Sequence, residues 1–169
     1  MRRVVVTGMG MVTPLGLGVD HNWVRITAGD SGIRKVDEFD VSDMSSQVAG
    51  LVPKSTDENP PAGVLNFEKF IPAKELRRLD RFIAFGMVAA HEAVEDSGWK
   101  PQTDEERERT GVMIGSGIGG LQTLYESAIT LKESGPRRIS PFFLPGLLIN
   151  LASGQVSIKY GFKGPNHAV

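Results

Sequence analysis

The sequence predicts an α/β fold with a largely parallel sheet, and three observations predict it. Short β-branched or apolar runs at 3–7, 47–52, 111–114 and 166–169 alternate with longer stretches whose apolar residues recur every three or four positions. Nearly every run closes on a glycine or proline, as strand ends and helix ends do. No internal repeat interrupts the alternation, so the chain reads as one domain, residues 1–169, and 169 residues suffice for a core.

Taken in order, residues 3–7 read as a strand bounded by Gly8. Residues 9–13 read as a loop or an irregular second strand. Val19, Trp23 and Ile26 mark a helix that starts near Asp20 and ends at Gly29. Residues 30–43 read as loop and 47–52 as a strand. The segment 53–70 is taken as an exposed loop, its first part, 53–63, rich in Pro, Ser, Asp and Asn. A long helix is predicted over 72–97, with a break near Asp80. Leu76, Leu79, Ile83, Met87, Ala90 and Val94 form its apolar face, and Gly98 stops it. After the charged stretch 104–109 comes a strand at 111–114. Leu121, Leu124, Ala128 and Leu131 mark a helix ended by Ser134-Gly135-Pro136, and a buried helix is predicted over 144–159, with Pro145 in its first turn. Residues 166–169 look like the opening of a strand with no partner and no continuation, so the domain is expected to be the front part of a longer fold.

Composition narrows the function. Nineteen basic and twenty acidic residues leave a net charge of −1, which gives no global attraction to nucleic acid or anionic membrane. There are no cysteines, hence no disulfide, no thiol nucleophile and no thiolate metal site within these residues. The first ten residues hold too short an apolar run for a signal peptide and read as a mature cytosolic start. The most apolar stretch, 141–152, falls short of the about 20 residues a membrane helix needs. The expectation is a cytoplasmic protein without nucleic-acid or membrane partners.

The stretch TGVMIGSGIGGL at 110–121 is the one most loaded with meaning. Gly115, Gly117 and Gly120 match the dinucleotide pattern G-x-G-x-x-G between a strand and a helix. A dinucleotide site also needs a second strand ending in an acidic residue some way on, and helix stands there instead. A P-loop needs lysine and a hydroxyl where Leu121-Gln122 stand. A tight turn packed against a neighbour explains the glycines equally well. Ser116 and Ser153 lack the G-x-S-x-G elbow, and His21, His91 and His167 are scattered. No His or carboxylate cluster has metal-ligand spacing. No catalytic residue, no metal site and no cofactor is predicted within the chain.

Lys74, Arg77, Arg78 and Arg81 fall on one face of the predicted long helix, and Arg137-Arg138 add a second basic cluster. A solvated helix face accounts for such a stripe, and a small acidic protein partner would also fit it. Phe142 and Phe143 read as core aromatics at a helix start.

Several stretches taken together resemble the β-ketoacyl-acyl-carrier-protein synthases, most closely the type II condensing enzymes of bacterial fatty-acid synthesis. They are VVVTGMGMVTPLG at 4–16, AGDSGI at 28–33, GSGIGGL at 115–121, PRRISPFFLP at 136–145 and YGFKGPNHAV at 160–169. The resemblance implies a thiolase-like fold of two similar halves, of which this chain would be an incomplete N-terminal half. It implies a homodimer, and decarboxylative condensation of a cysteine-bound acyl group with malonyl carrier protein. The nucleophilic cysteine is expected just past Val169, and the catalytic histidines later still, so the chain alone is expected to be inactive. Ile118 and Gly117 resemble acyl-pocket residues, and Phe143 resembles a phenylalanine that closes the pocket across the dimer. Lys74, Arg77, Arg78, Arg137 and Arg138 stand at positions that meet the acidic acyl carrier protein. The alternatives are a non-catalytic subunit resembling polyketide chain-length factors, and a Rossmann-type dinucleotide-binding domain.

Overall fold

The computed structural model describes residues 3–169; Met1 and Arg2, part of the predicted mature start, lie outside them. The chain opens with a segment that leads into a two-residue ribbon, β1 (Val12–Thr13) against β2 (Gly16–Leu17). Helix α1 (Val19–Thr27) follows, and Asn22 at its centre is buried, its amide donating to the Gly16 and Gly18 carbonyls while Oδ1 meets the Thr13 hydroxyl. A second antiparallel ribbon joins β3 (Ile33–Lys35) to β4 (Val48–Gly50). Then come a 3₁₀ turn (Phe67–Lys69), α2 (Ala73–Leu76), α3 (Arg81–Ser97) and α4 (Asp104–Glu108). Strand β5 (Val112–Ile114) leads through the glycine loop into α5 (Leu121–Ser134). A 3₁₀ turn (Pro136–Arg138), α6 (Phe143–Leu147), α7 (Asn150–Tyr160) and β6 (Asn166–Ala168) complete the order.

The core is α3 packed on α7, with the β5–β6 pair against α7. Ile83, Ala84 and Met87 of α3 bury against Ile71 and against Ala152 and Val156 of α7, with Val112 and Ile114 closing one side. Helix α3 begins where Asp80 accepts the Phe82 N–H and ends where Gly98, at φ +64°, takes the left-handed turn. Helix α4 carries a reciprocal cap: the Thr103 hydroxyl accepts the Glu106 N–H, and the Glu106 carboxylate accepts the Thr103 N–H.

The α/β class, the break at Asp80, the strand at 111–114 and the helix after the glycine loop stand as the sequence predicts. Six expectations do not. Residues 3–7 join no ladder among the described residues, and Val4 is 94% exposed; β-branched residues favour a strand only where a neighbour supplies a partner. The predicted loop 30–43 contains β3, whose exposed residues lack the alternation that marks a half-buried strand. The loop 53–70 is not exposed throughout: Leu65 and Asn66 are buried and Phe67 packs on the core, while Glu68 and Lys69 are exposed. The predicted helix 144–159 splits into α6 and α7. The Gly146 and Leu147 carbonyls accept from Asp80 N and Gly120 N instead of continuing the helical ladder, and Leu148 is extended at ψ 139°. Residues 166–168 do have a partner: β6 pairs with β5 in parallel, Val112 opposite Asn166 and Ile114 opposite Ala168. The sheet expected to be largely parallel is not: that pair is the one parallel sheet among the described residues, and the other two sheets are antiparallel ribbons.

The N-terminal segment is held to α3 through backbone groups. Glu92 accepts Val19 N–H and Met11 N–H, each at 2.8 Å, and Asp96 accepts Met9 N–H at 2.9 Å. Hydrogen bonds to a charged acceptor contribute about 1.5–3 kcal/mol each. Glu92→Ala is therefore expected to lower the unfolding free energy by about 3 kcal/mol or more. Glu95→Ala removes a surface pair with Lys100 and is expected to cost about 1 kcal/mol or less. Urea titration of the two variants compares them directly.

Candidate functional site

The residues proposed from sequence as a basic stripe do not lie on one helix. The chain leaves helical geometry after α2, so Arg77 and Arg78 sit in a turn and Arg81 begins α3 on another course. Arg81 is already occupied, pairing at 2.8 Å with Glu38, whose other oxygen takes Lys54 at 2.6 Å. Arg77, Arg78, Arg137 and Arg138 form no ion pair with any described residue, although Arg25, Arg34, Arg107 and Arg109 all do.

Three of these unpaired arginines converge on one cavity of about 250 Å³. The turn 77–79 supplies Arg77 and Arg78, α5 supplies hydroxyls from Thr123, Ser127 and Thr130, and the segment 138–143 supplies Arg138, Ser140 and the two phenylalanines. The Arg78 guanidinium lies 4.1 Å from the centre of the Phe142 ring, which fixes its plane by cation–π attraction. Phe142 is thus a half-exposed stacking surface and not the core aromatic expected of it. Glu126 also lines the cavity, its Oε1 accepting from the Gln122 amide at 2.8 Å. Lys74 and Arg137 are exposed and do not line the cavity. The Thr123 and Thr130 hydroxyls are already donated, to Asp80 Oδ2 and the Glu126 carbonyl, so what the arrangement presents to an anionic visitor is the positive charge of the arginines.

The residues read as acyl-pocket residues are divided. Phe143 lines the arginine cavity, whereas Ile118 is 73% exposed and a Cβ at Gly117 would meet nothing within 4 Å. The loop's last two glycines are the crowded ones: a Cβ at Gly119 would lie 2.7 Å from the Leu147 carbonyl oxygen, and one at Gly120 2.9 Å from Leu147 Cβ. Helix α5 buries no residue, and Leu121, Tyr125 and Ile129, one turn apart, all remain exposed.

Ser116, Ser153, His21 and His91 are each engaged in contacts within the fold. The Ser116 hydroxyl accepts the Gly119 N–H, and the buried Ser153 hydroxyl lies 2.9 Å from both the Asn150 carbonyl and Asn166 Oδ1. His21 meets the Leu15 carbonyl, and His91 pairs with the Tyr160 hydroxyl at 2.8 Å against the edge of Phe70. A larger cavity, about 670 Å³, lies between α1 and α3 beside His21, His91 and Glu92. Its Glu92 and Asp96 are committed to holding residues 9–19, which makes it a seam of the fold. Asp80 and Thr123, which bind the arginine cavity's walls together, were not among the predicted site residues. An aspartate one residue before a strongly apolar helical run was the available signal.

The same architecture is found in solved ketosynthases. The ishigamide ketosynthase/chain length factor matches with a TM-score of 0.77 at 23% identity, over 99% of this chain and 40% of that one. A type II polyketide ketosynthase in complex with its acyl-carrier protein matches with a TM-score of 0.72 at 24% identity, over 96% of this chain and 40% of that one. The fold is thus that of a ketosynthase, seen in part. The sequence narrows it: the chain belongs to the β-ketoacyl synthase family, whose N-terminal domain matches residues 1–169. A curated relative, 3-oxoacyl-[acyl-carrier-protein] synthase 2 of Rhizobium meliloti (strain 1021), is 50% identical over 169 residues, 100% of this chain and 39% of that protein. The chain spans about two fifths of the length of such relatives.

The Glu38 carboxyl is held down to about 2 from an ordinary 4.5, first by the Lys54 hydrogen bond and then by that of Arg81, with partial burial opposing. A lowered folded-state value stabilises the fold fully above about pH 4.5 and is lost as pH falls through about 2. The stability gap between wild type and Glu38→Gln is expected to be constant above pH 4.5 and to close toward pH 2. Thermal melts across that range measure it; a gap that persists unchanged to the acid end contradicts the pairing.

Proposed function

We propose that the chain is the N-terminal part of a 3-oxoacyl-[acyl-carrier-protein] synthase II, and that the arginine cavity docks an acidic acyl carrier protein. The observation that carries the docking is the convergence of Arg77, Arg78 and Arg138, unpaired by any described carboxylate, on one polar cavity. The 50% identity with a synthase 2 supports the enzyme class. Lys74 and Arg137, both exposed, are assigned to the positive field over which a carrier would approach.

In the proposed reaction an acyl group passes from carrier to a cysteine thiolate, forming a thioester and releasing the carrier thiol. Malonyl carrier protein then loses CO₂, and the enolate carbon so formed attacks the acyl carbonyl. The carbon–carbon bond forms as the carbon–sulfur bond breaks and the thiolate is regenerated. This sequence contains no cysteine, so that step belongs to residues outside it. The chain's own part is to seat the carrier and to shape the acyl site. Ile118, Gly117 and Phe143 are assigned to the acyl side. Their separation here, with Ile118 exposed, fits a pocket completed by further chain and by a second subunit. The exposed stripe Leu121, Tyr125 and Ile129 supports a homodimer of the whole protein. No helix among the described residues is long and apolar enough to cross a membrane, which suits a cytoplasmic enzyme acting on carrier-borne substrates.

Steady-state condensation with the complete gene product tests both assignments. Arg77→Glu together with Arg78→Glu is expected to raise KM for the carrier-borne substrate about tenfold or more while kcat stays within about twofold. An unchanged KM removes the docking assignment. Ile118→Phe is expected to shorten the acyl chains that are extended, because the larger side chain fills acyl space. Normal elongation of long primers by that variant would leave the glycine loop with a packing role alone.

A further inference from the structure

The arginine cavity draws its walls from three separate segments, and one buried residue ties the helices behind them together, α3 and α5 through its carboxylate and α6 through its backbone N–H. Asp80 is 7% exposed and follows directly on the turn 77–79 that carries Arg77 and Arg78. Its Oδ1 accepts the Phe82 N–H at 3.4 Å, which starts α3. Its Oδ2 accepts both the Thr123 N–H, at 3.0 Å, and the Thr123 hydroxyl, at 2.8 Å, in the first turn of α5. Its own N–H donates to the Gly146 carbonyl of α6 at 3.1 Å. The approach is close on both sides: a Cβ at Gly146 would lie 2.7 Å from the Arg78 carbonyl oxygen, and one at Gly120 3.0 Å from Asp80 Oδ2.

We propose that Asp80 is the positioning residue of the docking site, clasping the Arg77–Arg78 turn to α5 and α6 so that the arginines face the carrier at a fixed spacing. The inference rests on the docking reading and adds to it a residue that never touches the carrier. A carboxylate is needed because two oxygens serve two helices at once. An amide has one oxygen, so asparagine can cap α3 or accept Thr123 N–H, and its NH₂ then opposes the other N–H. Two guanidinium groups held on a turn bind an acidic surface well only while the turn is fixed; a loosened turn loses the preorganisation and weakens binding without altering the chemical step.

The experiment compares two substrates of the complete gene product, the acyl group on its carrier protein and the same acyl group on free pantetheine. Asp80→Asn is expected to raise KM for the carrier-borne substrate about fivefold, with KM for the pantetheine thioester and both kcat values within about twofold. Thr123→Val, which loses the hydroxyl and keeps the N–H, is expected to show a smaller rise of the same kind. Thr123→Ser is expected to restore wild-type values. A fall in kcat for both substrates together, with neither KM moved, would mean that Asp80 only holds up the fold and would overturn the proposal. If Asp80→Asn does not fold, the Thr123 pair decides: equal carrier KM in Thr123→Val and wild type overturns it. Where charge reversal at Arg77 and Arg78 raises the carrier KM and the clasp variants do not, the positioning role alone fails. Where charge reversal also has no effect, the docking reading fails with it.

Discussion

A turn that must point positive charge outward has little of its own to hold it in place, because its arginines repel one another and point away from the core. In this chain the restraint comes from behind. The Asp80 carboxylate takes N–H groups from the first turns of α3 and α5, and its backbone N–H reaches the Gly146 carbonyl of α6. Each of those donors would be an orphan at a helix start, so the two helices gain caps from one buried group. Mutual dependence follows. The α3 start, the loop exit at Gly120 and the break between α6 and α7 are set together, and the arginine cavity is the surface they enclose.

The same dependence explains what was legible beforehand. Local grammar sufficed where an element's limits are decided by its own residues. Gly98 ends α3, and the Ser-Gly-Pro stretch ends α5. It failed where limits are decided across the chain. The run 144–159 has the composition of one helix, yet its Gly146 and Leu147 carbonyls bond to residues 80 and 120, far away in sequence. Residues 3–7 have strand chemistry, but a strand is a property of a pair. Arg81 shares the helical spacing of its neighbours and is withdrawn from them by Glu38, which lies 43 positions earlier. For the site, residue type pointed to Arg77, Arg78 and Arg138, while spacing gave no sign that Phe142 would stack on Arg78 or that Thr123 would close the clasp.

The surfaces left apolar follow a consistent division. Helices α3 and α7, which bury residues against each other, make the core of this chain. Helix α5 buries none, although its sequence is amphipathic, and Met113 on β5 is 67% exposed. Contiguous uncovered faces of that kind mark contact surfaces in soluble proteins. The proposed synthase gives each of them something to meet, in the rest of the subunit or in its twin. The arginine cavity differs from these faces in bringing three arginines together on one surface.

The glycine loop separates into two parts under the same scrutiny. Gly119 and Gly120 are required by crowding, since any side chain there would strike α6 or Asp80. A phosphate is not needed to explain them. Gly117 has open space around it, and Ile118 beside it faces outward, so packing within this chain accounts for neither. A residue kept small against empty space, next to an exposed apolar one, makes sense if a flexible apolar ligand or a partner surface comes to lie there. The half of the loop nearest Asp80 therefore anchors, and the half nearest β5 is left without a packing partner among the described residues.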